Sequence, residues 1–239
     1  MFFKLMAGLL VLAVQTPGPV LSGRIVFDAT SAKPPADLTR VYIVFARPED
    51  SGVLVKLNVG LVERTALPGG SVGADGRFSV QGLKPGTYFV STLFLPAQWR
   101  LRSAIYEGTD VAEAGFPVSL RGVGGTGELV LTFTDRSTAI SGAVRMADGT
   151  EPAAVTVLAF PQNRLMWGWS SSRTKVAKLG PDFRYVVRDL PPGRYLVAAV
   201  TGYTAKQNTA EYWEKLSTTA VAVVLGDGDQ RVVDLTVGK

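Results

Sequence analysis

The chain of 239 residues contains no cysteine and no histidine. The first absence excludes a disulfide framework, a thiol nucleophile and a thiolate metal site. The second excludes Ser-His-Asp and Cys-His nucleophilic pairs, His-ligated catalytic zinc and the commonest general base near neutral pH. Carboxylate-pair or Ser/Lys chemistry stays open in principle, and the expectation is a non-enzyme that needs no cofactor and no metal. Charge is also thin, at 19% of residues, and the 25 Lys and Arg exceed the 20 Asp and Glu without forming a run. A nucleic-acid binder concentrates its basic residues on one stripe, so the excess is read as solubility and nucleic acid is not an expected partner. What is plentiful is apolar: 46% hydrophobic residues, with 26 Gly and 14 Pro spread along the chain. That composition is globular and suits many short strands joined by many turns.

The chain repeats itself, and this organises everything else. "GLLVLAVQTPGPVLSGRI" (Gly8 to Ile25) aligns without a gap on "GELVLTFTDRSTAISGAV" (Gly127 to Val144). Leu10 falls on Leu129, Leu12 on Leu131, Val14 on Phe133, and Ser22-Gly23 on Ser141-Gly142. A second unit follows each copy: "DGRFSVQGLKPGTYFV" (Asp75 to Val90) aligns on "DFRYVVRDLPPGRYLV" (Asp182 to Val197). The pattern is a hairpin device. An Asp-led turn opens an alternating strand with Phe78 and Val80, or Tyr185 and Val187. Pro85-Gly86 and Pro192-Gly193 then offer the fixed negative φ and the positive φ of a type II turn. Two copies in one internal order predict two modules, 20–134 and 138–237.

Within each module the reading is all-β. "RVYIVFA", "RFSVQGL", "TYFVSTLFL" and "WRLRSAIYEG" predict strands in the first. "SGAVRM", "AVTVLAF", "FRYVVRDL", "RYLVAAV", "TAVAVVL" and "RVVDLTV" do so in the second. The expected architecture is two tandem Greek-key β-sandwiches. One exception is "NTAEYWEKLS", where Asn208 as N-cap and Glu211 three residues later predict a short helix near the C-terminus. "DRST" is too short to be a flexible linker, so the pair is expected to be stiff.

These residues resemble the carboxypeptidase regulatory-like domain family, a prealbumin-like (transthyretin-like) sandwich found as tandem modules in exported bacterial proteins. The likeness lies in D-G-R-F…L-x-P-G-x-Y after an S-G-x-V/I opening strand, twice in one chain. It covers nearly all of the second module and the matching stretches of the first. No peptidase domain accompanies it. The resemblance implies a non-catalytic structural or adhesive spacer outside the cytoplasm, in the periplasm, on the cell surface or secreted. Its implied partners are other domains of a longer polypeptide or cell-surface components.

Several pattern matches point elsewhere and fail on context. "GVGGTG" (Gly122 to Gly127) satisfies G-x-G-x-x-G but leads into a strand, where a dinucleotide site needs a helix start. "GGSVG" (Gly69 to Gly73) satisfies G-x-S-x-G, but no histidine can serve as base, and Ser71 is read as a loop serine. "SRTK" (Ser172 to Lys175) lacks the S-D-N and K-T-G elements of penicillin-binding proteins. Asp227 and Asp229 in "GDGDQ" are too few for a hard cation and read as a hairpin loop. Trp99 and Trp213 lie in periodic segments and are expected in the core. Trp167 and Trp169 sit in the aperiodic "MWGWSSSR". The loop is read either as a cap on the sandwich or as a binding surface. In the second case Trp167 and Trp169 would stack on sugar rings, with Arg164 and Arg173 alongside for acidic polysaccharide.

Residues 1–19 carry two readings. Matched to its copy, Leu9–Val14 is the last strand of a preceding module, and the chain a fragment of a longer exported protein. The alternative is a signal peptide, with Lys4 before an apolar stretch. Either reading places the chain outside the cytoplasm.

Overall fold

The structure, a computed structural model, describes residues 20–50, 67–119, 123, 127–167, 172–204, 207 and 209–238. Leu9–Val14, Trp169 and Asn208 lie outside them.

The first half forms β1 (Leu21–Asp28), β2 (Tyr42–Ala46), β3 (Gly69–Ser71), β4 (Arg77–Val80) and β5 (Gly86–Leu93). β6 (Arg100–Tyr106), β7 (Thr109–Asp110), β8 (Phe116–Val118) and β9 (Leu129–Thr134) complete it. One sheet runs β4-β1-β9-β6-β7 and the other β3-β2-β5-β8. The second half forms β10 (Ala139–Met146), β11 (Val155–Pro161), β12 (Lys175–Lys178), β13 (Arg184–Arg188) and β14 (Gly193–Thr201). It continues with α1 (Ala210–Ser217), β15 (Val221–Leu225), β16 (Gln230–Val232) and β17 (Leu235–Val237). Its sheets run β13-β10-β16, with β17 also beside β10, and β12-β11-β14-β15. The described residues thus form two tandem β-sandwiches with one short α-helix near the C-terminus.

The sequence repeat becomes a repeat of register. In the first sandwich Leu21 pairs with Val80 and Gly23 with Phe78; in the second Ile140 pairs with Val187 and Gly142 with Tyr185. Each opening strand also has a parallel neighbour supplied by the end of its own half, β9 beside β1 and β16 and β17 beside β10. Alternation sets the buried faces: Leu21 and Ile25 of β1, Phe78 and Val80 of β4, and Leu129, Leu131 and Phe133 of β9 fill the first core. Ile140, Val144, Tyr185, Val187, Tyr195 and Leu225 fill the second.

β2 and β11 are buried almost throughout, with no polar-out alternation, because a second layer covers the outer face of each. α1 covers β11 and β14, laying Trp213 and Leu216 against Leu158, Phe160 and Leu196. Each such apolar side chain contributes about 1.5–3 kcal/mol when fully buried. On the first sandwich the cover comes from the other half: Met166 sits against Val44, Ala46 and Phe89 of β2 and β5. Trp99, on the first core, is buried like Trp213.

Three local expectations are corrected. The helix N-cap is Thr209, whose hydroxyl accepts from the Tyr212 amide at 3.2 Å. Ser71 lies on β3, where Gly69 and Gly70 let the strand run close: a Cβ at Gly70 would stand 2.2 Å from the Ser79 carbonyl oxygen. The Pro-Gly pairs do not make the expected type II turn. Gly86 and Gly193 have φ of +148° and +153° and open β5 and β14, while the left-handed residues are Gly82 and Asp189, three positions before each proline.

Candidate functional site

The loop after β11 divides its side chains between two faces. Asn163 caps a single turn, Arg164–Met166, accepting from the Leu165 amide at 3.0 Å and donating through Nδ2 to the Glu113 carbonyl oxygen at 2.8 Å. Met166 goes to the first sandwich. Trp167 goes the other way: its ring meets Phe160 edge-on at 6.1 Å, and its indole N–H donates to the Pro161 carbonyl oxygen at 2.8 Å. Arg164 lies over the Trp167 ring at 5.7 Å and pairs with Glu214 of α1 at 2.8 Å. Of the four residues expected from sequence as a binding surface, Arg164 and Trp167 therefore share one. Arg173 does not join them. It is 4% exposed and donates through Nη1 to the Pro192 carbonyl oxygen at 2.9 Å and the Tyr195 hydroxyl at 3.1 Å.

The Arg173 arrangement follows from one residue difference between the repeats. In the first sandwich the Tyr88 hydroxyl accepts from the Lys84 amide at 3.0 Å. The matching position in the second is Pro191, which has no N–H. The Tyr195 hydroxyl reverses, donating to the Pro191 carbonyl oxygen at 2.6 Å. Its lone pairs then accept from Arg173, which passes across Gly193 where a Cβ would stand 2.6 Å from Nη1. Burial pushes the Tyr195 hydroxyl pKa up to about 12, with Arg173 working against the rise.

The four residues between the halves are bonded on every side. Asp135 accepts from the Thr30, Ser31 and Ala32 amides at 2.8, 2.7 and 2.6 Å. Those amides, Ala32 and Ser31 foremost, hold its carboxyl well below the usual range against the opposing effect of desolvation. Arg136 pairs with Asp28 of the first sandwich at 2.8 Å and Asp227 of the second at 2.5 Å. Arg102 reaches the same two carboxylates at 2.6 and 3.4 Å. Ser137 donates to Asp189 at 2.8 Å, and buried Thr138 to the Leu190 carbonyl oxygen at 2.6 Å. Arg100 of β6 ion-pairs with Asp189, and Glu113 accepts from the Arg194 amide at 2.8 Å. Asp227 Oδ2 is thus taken by arginines while its Oδ1 is buried without a partner, and Asp229 pairs with Arg231 at 2.7 Å. Among the described residues no group of three or more Asp, Glu, His or Cys is placed to hold a metal ion.

Sequence reasoning did not find Trp99, Arg100, Met166 or Asp189, which meet where the two sandwiches face each other. Asp189 carries the one local signal: it stands where the first repeat has Gly82.

No protein-family model matches the chain, and no curated protein matches it significantly. Solved structures do show similarity. A minor pilin of Streptococcus agalactiae is 12% identical over 90% of this chain and 94% of its own, with a TM-score of 0.35. The Bacillus anthracis TIE protein is 9% identical over 91% of this chain and 34% of its own, at 0.30. The shaft pilin SpaA of Lactobacillus rhamnosus GG is 9% identical over 94% and 99%, at 0.28. At TM-scores this low the likenesses carry no inference, and the fold stands on the strand pairings themselves. No helix among the described residues is long and apolar enough to cross a membrane.

Proposed function

We propose that this chain is a non-catalytic, extracytoplasmic spacer: two sandwiches, 20–134 and 138–237, that hold other domains of a longer surface polypeptide at a fixed separation. The observation that carries the reading is the junction. Asp135, Arg136, Ser137 and Thr138 are each tied by side chain into a sandwich, Arg136 into both. A linker so bonded transmits orientation, where an unbonded one would let the halves tumble independently. The repeated D-x-R-[FY]…P-G-x-Y device and the absence of histidine fit the same reading, as does the likeness to regulatory-like modules. Small-angle scattering of residues 20–238, with surface labelling of the native protein in its host, tests it. One compact, fixed pair and accessible label are expected; a pair flexing about 135–138, or a protein confined to the cytoplasm, overturns it.

A carbohydrate-binding role is the second reading, favoured by the shared surface of Arg164 and Trp167. Its test is tryptophan fluorescence against acidic polysaccharides in the parent, Trp167→Ala and Trp169→Ala. Quenching lost in the variants supports it. Spectra unchanged with every glycan leave Trp167 as a cap on Phe160.

A further inference from the structure

Between the two sandwiches lies a cleft of about 290 Å³, walled by Trp99 and Arg100 from the first and Met166, Arg173, Lys175 and Asp189 from the second. Three of these side chains share an anomaly: Trp99 Nε1, Arg100 Nε and Arg173 Nη2 are buried N–H groups with no acceptor in the protein. Buried donors are almost always paired, because an unpaired one forfeits its hydration for nothing. Three on the wall of one cleft are not scattered packing accidents.

Bonds at other nitrogens hold the two guanidinium groups: both Nη groups of Arg100 and Nη1 of Arg173. Arg100 Nη1 donates to the Gln98 and Arg136 carbonyl oxygens at 3.0 and 3.2 Å, and Nη2 pairs with Asp189. Arg173 Nη1 is held by Pro192 and Tyr195. Arg100 is thus held at both Nη groups with its Nε–H left over, and Arg173 is held at Nη1 with its Nη2 amino group left over. Trp99 is held by its ring, edge-on to Phe27 at 4.7 Å. Charge points the same way: among the residues lining the cleft, Arg100, Arg173 and Lys175 meet one carboxylate, Asp189, which Arg100 and Ser137 already occupy, while Glu113 lies beside Gly193 outside that lining. The wall is therefore rich in donors and cationic in balance.

We propose that this cleft is a binding site for a carboxylate, carried by a sugar acid or by a peptide C-terminus. A carboxylate is an acceptor with no hydrogen to offer, which suits a wall whose spare polar groups are all donors. Charge assistance from guanidinium makes such bonds the stronger kind. The volume admits a small ligand or one residue of a chain, near the lower end of ordinary ligand pockets, about 300 Å³. The donors are sealed from bulk water, so an occupant reaches them only as lining side chains move aside. Because the wall comes from both sandwiches, an occupant also ties them together. The proposal does not depend on the spacer reading, since it concerns a cleft rather than the junction's stiffness.

The test is a ¹H–¹⁵N titration of the whole chain, reading the Trp99 indole and Arg100 Nε–H signals. The probes are glucuronate and N-acetylglycine, with glucose and sodium chloride at matched ionic strength as controls. Saturable shifts with the carboxylates, absent with the controls, are expected. Tighter binding of glucuronate assigns a sugar acid, and of N-acetylglycine a peptide terminus. No saturable shift with either carboxylate, or an equal response to chloride, overturns the proposal. Arg100→Lys keeps the charge but removes Nε–H, and Trp99→Phe removes the indole donor; each should weaken binding about tenfold. Folded variants that bind as tightly as the parent also overturn it.

Discussion

The two repeat tyrosines occupy the same place and do opposite things, which makes them a controlled comparison. Tyr88→Phe removes an acceptor from the Lys84 amide and is expected to cost about 0.5–1.5 kcal/mol. Tyr195→Phe strips both the Pro191 carbonyl and buried Arg173 of a partner, and is expected to cost about 1–3 kcal/mol. Denaturant unfolding of the two variants checks the order; equal losses would sink the account of the reversed hydroxyl. Asp135 gives a prediction in pH. Its folded pKa is depressed, so its contribution is present above the unfolded value of about 3.9 and is lost as pH falls below that. Melting temperatures should drop through this acid range in the parent and change less in Asp135→Asn, which should already melt lower at neutral pH. The reversal at Tyr195 is legible in sequence, because Lys84 aligns with Pro191 and proline has no amide hydrogen. The spare N–H groups of Trp99, Arg100 and Arg173 are not, because burial at a contact between distant segments leaves no local pattern.

Each opening strand carries Ser-Gly for a reason that belongs to the sheet. A Cβ on Gly142 would stand 1.9 Å from the Val233 carbonyl oxygen, and one on Gly23 would stand 2.7 Å from that of Leu129. Both glycines admit the parallel strand that closes the sandwich. Val233 lies between β16 and β17, and its carbonyl is also held by the Tyr185 hydroxyl at 2.8 Å. Gly142→Ala should therefore cost at least the 1–3 kcal/mol or so of ordinary overpacking. Thermal unfolding measures it, and a loss below ~0.5 kcal/mol would contradict the close approach. The longer strands were readable from alternation and fencing glycines and prolines. β3, β7 and β8, at two or three residues each, are too short to show a period. β16 and β17 read as one strand because their break is made by the Asp234 side chain, which takes the Ala143 amide at 2.8 Å in place of the backbone.

At the scale of the molecule, the proposed stiffness of the pair would rest on an apolar contact and a polar frame around it. Met166 seals the outer face of β2 and β5, while the Asn163 and Arg194 bonds to Glu113 and the Arg136 network flank it. Met166→Ala should open this seam: it empties the contact with Val44, Ala46 and Phe89, and the loss should be about 2–5 kcal/mol, as for truncation of a buried methionine. Small-angle scattering should then show a broader spread of inter-sandwich distances with each sandwich still folded. An unchanged profile would mean that the seam does not set the angle. Two modules were visible in the sequence because the repeat is local. Their docking was not, since its partners stand 50 or more positions apart, the polar ones look like ordinary surface residues and the apolar ones like core of their own sandwich.

The parallel pairing of β1 with β9 has a mechanical consequence. A pull on the two ends of the first sandwich draws Leu21 one way and Thr134 the other. In parallel neighbours the start of one strand and the end of the next lie at opposite ends of the ladder. The load then runs along the strands, and the pairs from Gly23–Leu129 to Asp28–Thr134 share it together. An antiparallel pair pulled at adjacent ends would open one bond at a time. Under such a pull each sandwich would be a clamp loaded in shear, with Asp135 to Thr138 passing the tension from one to the next.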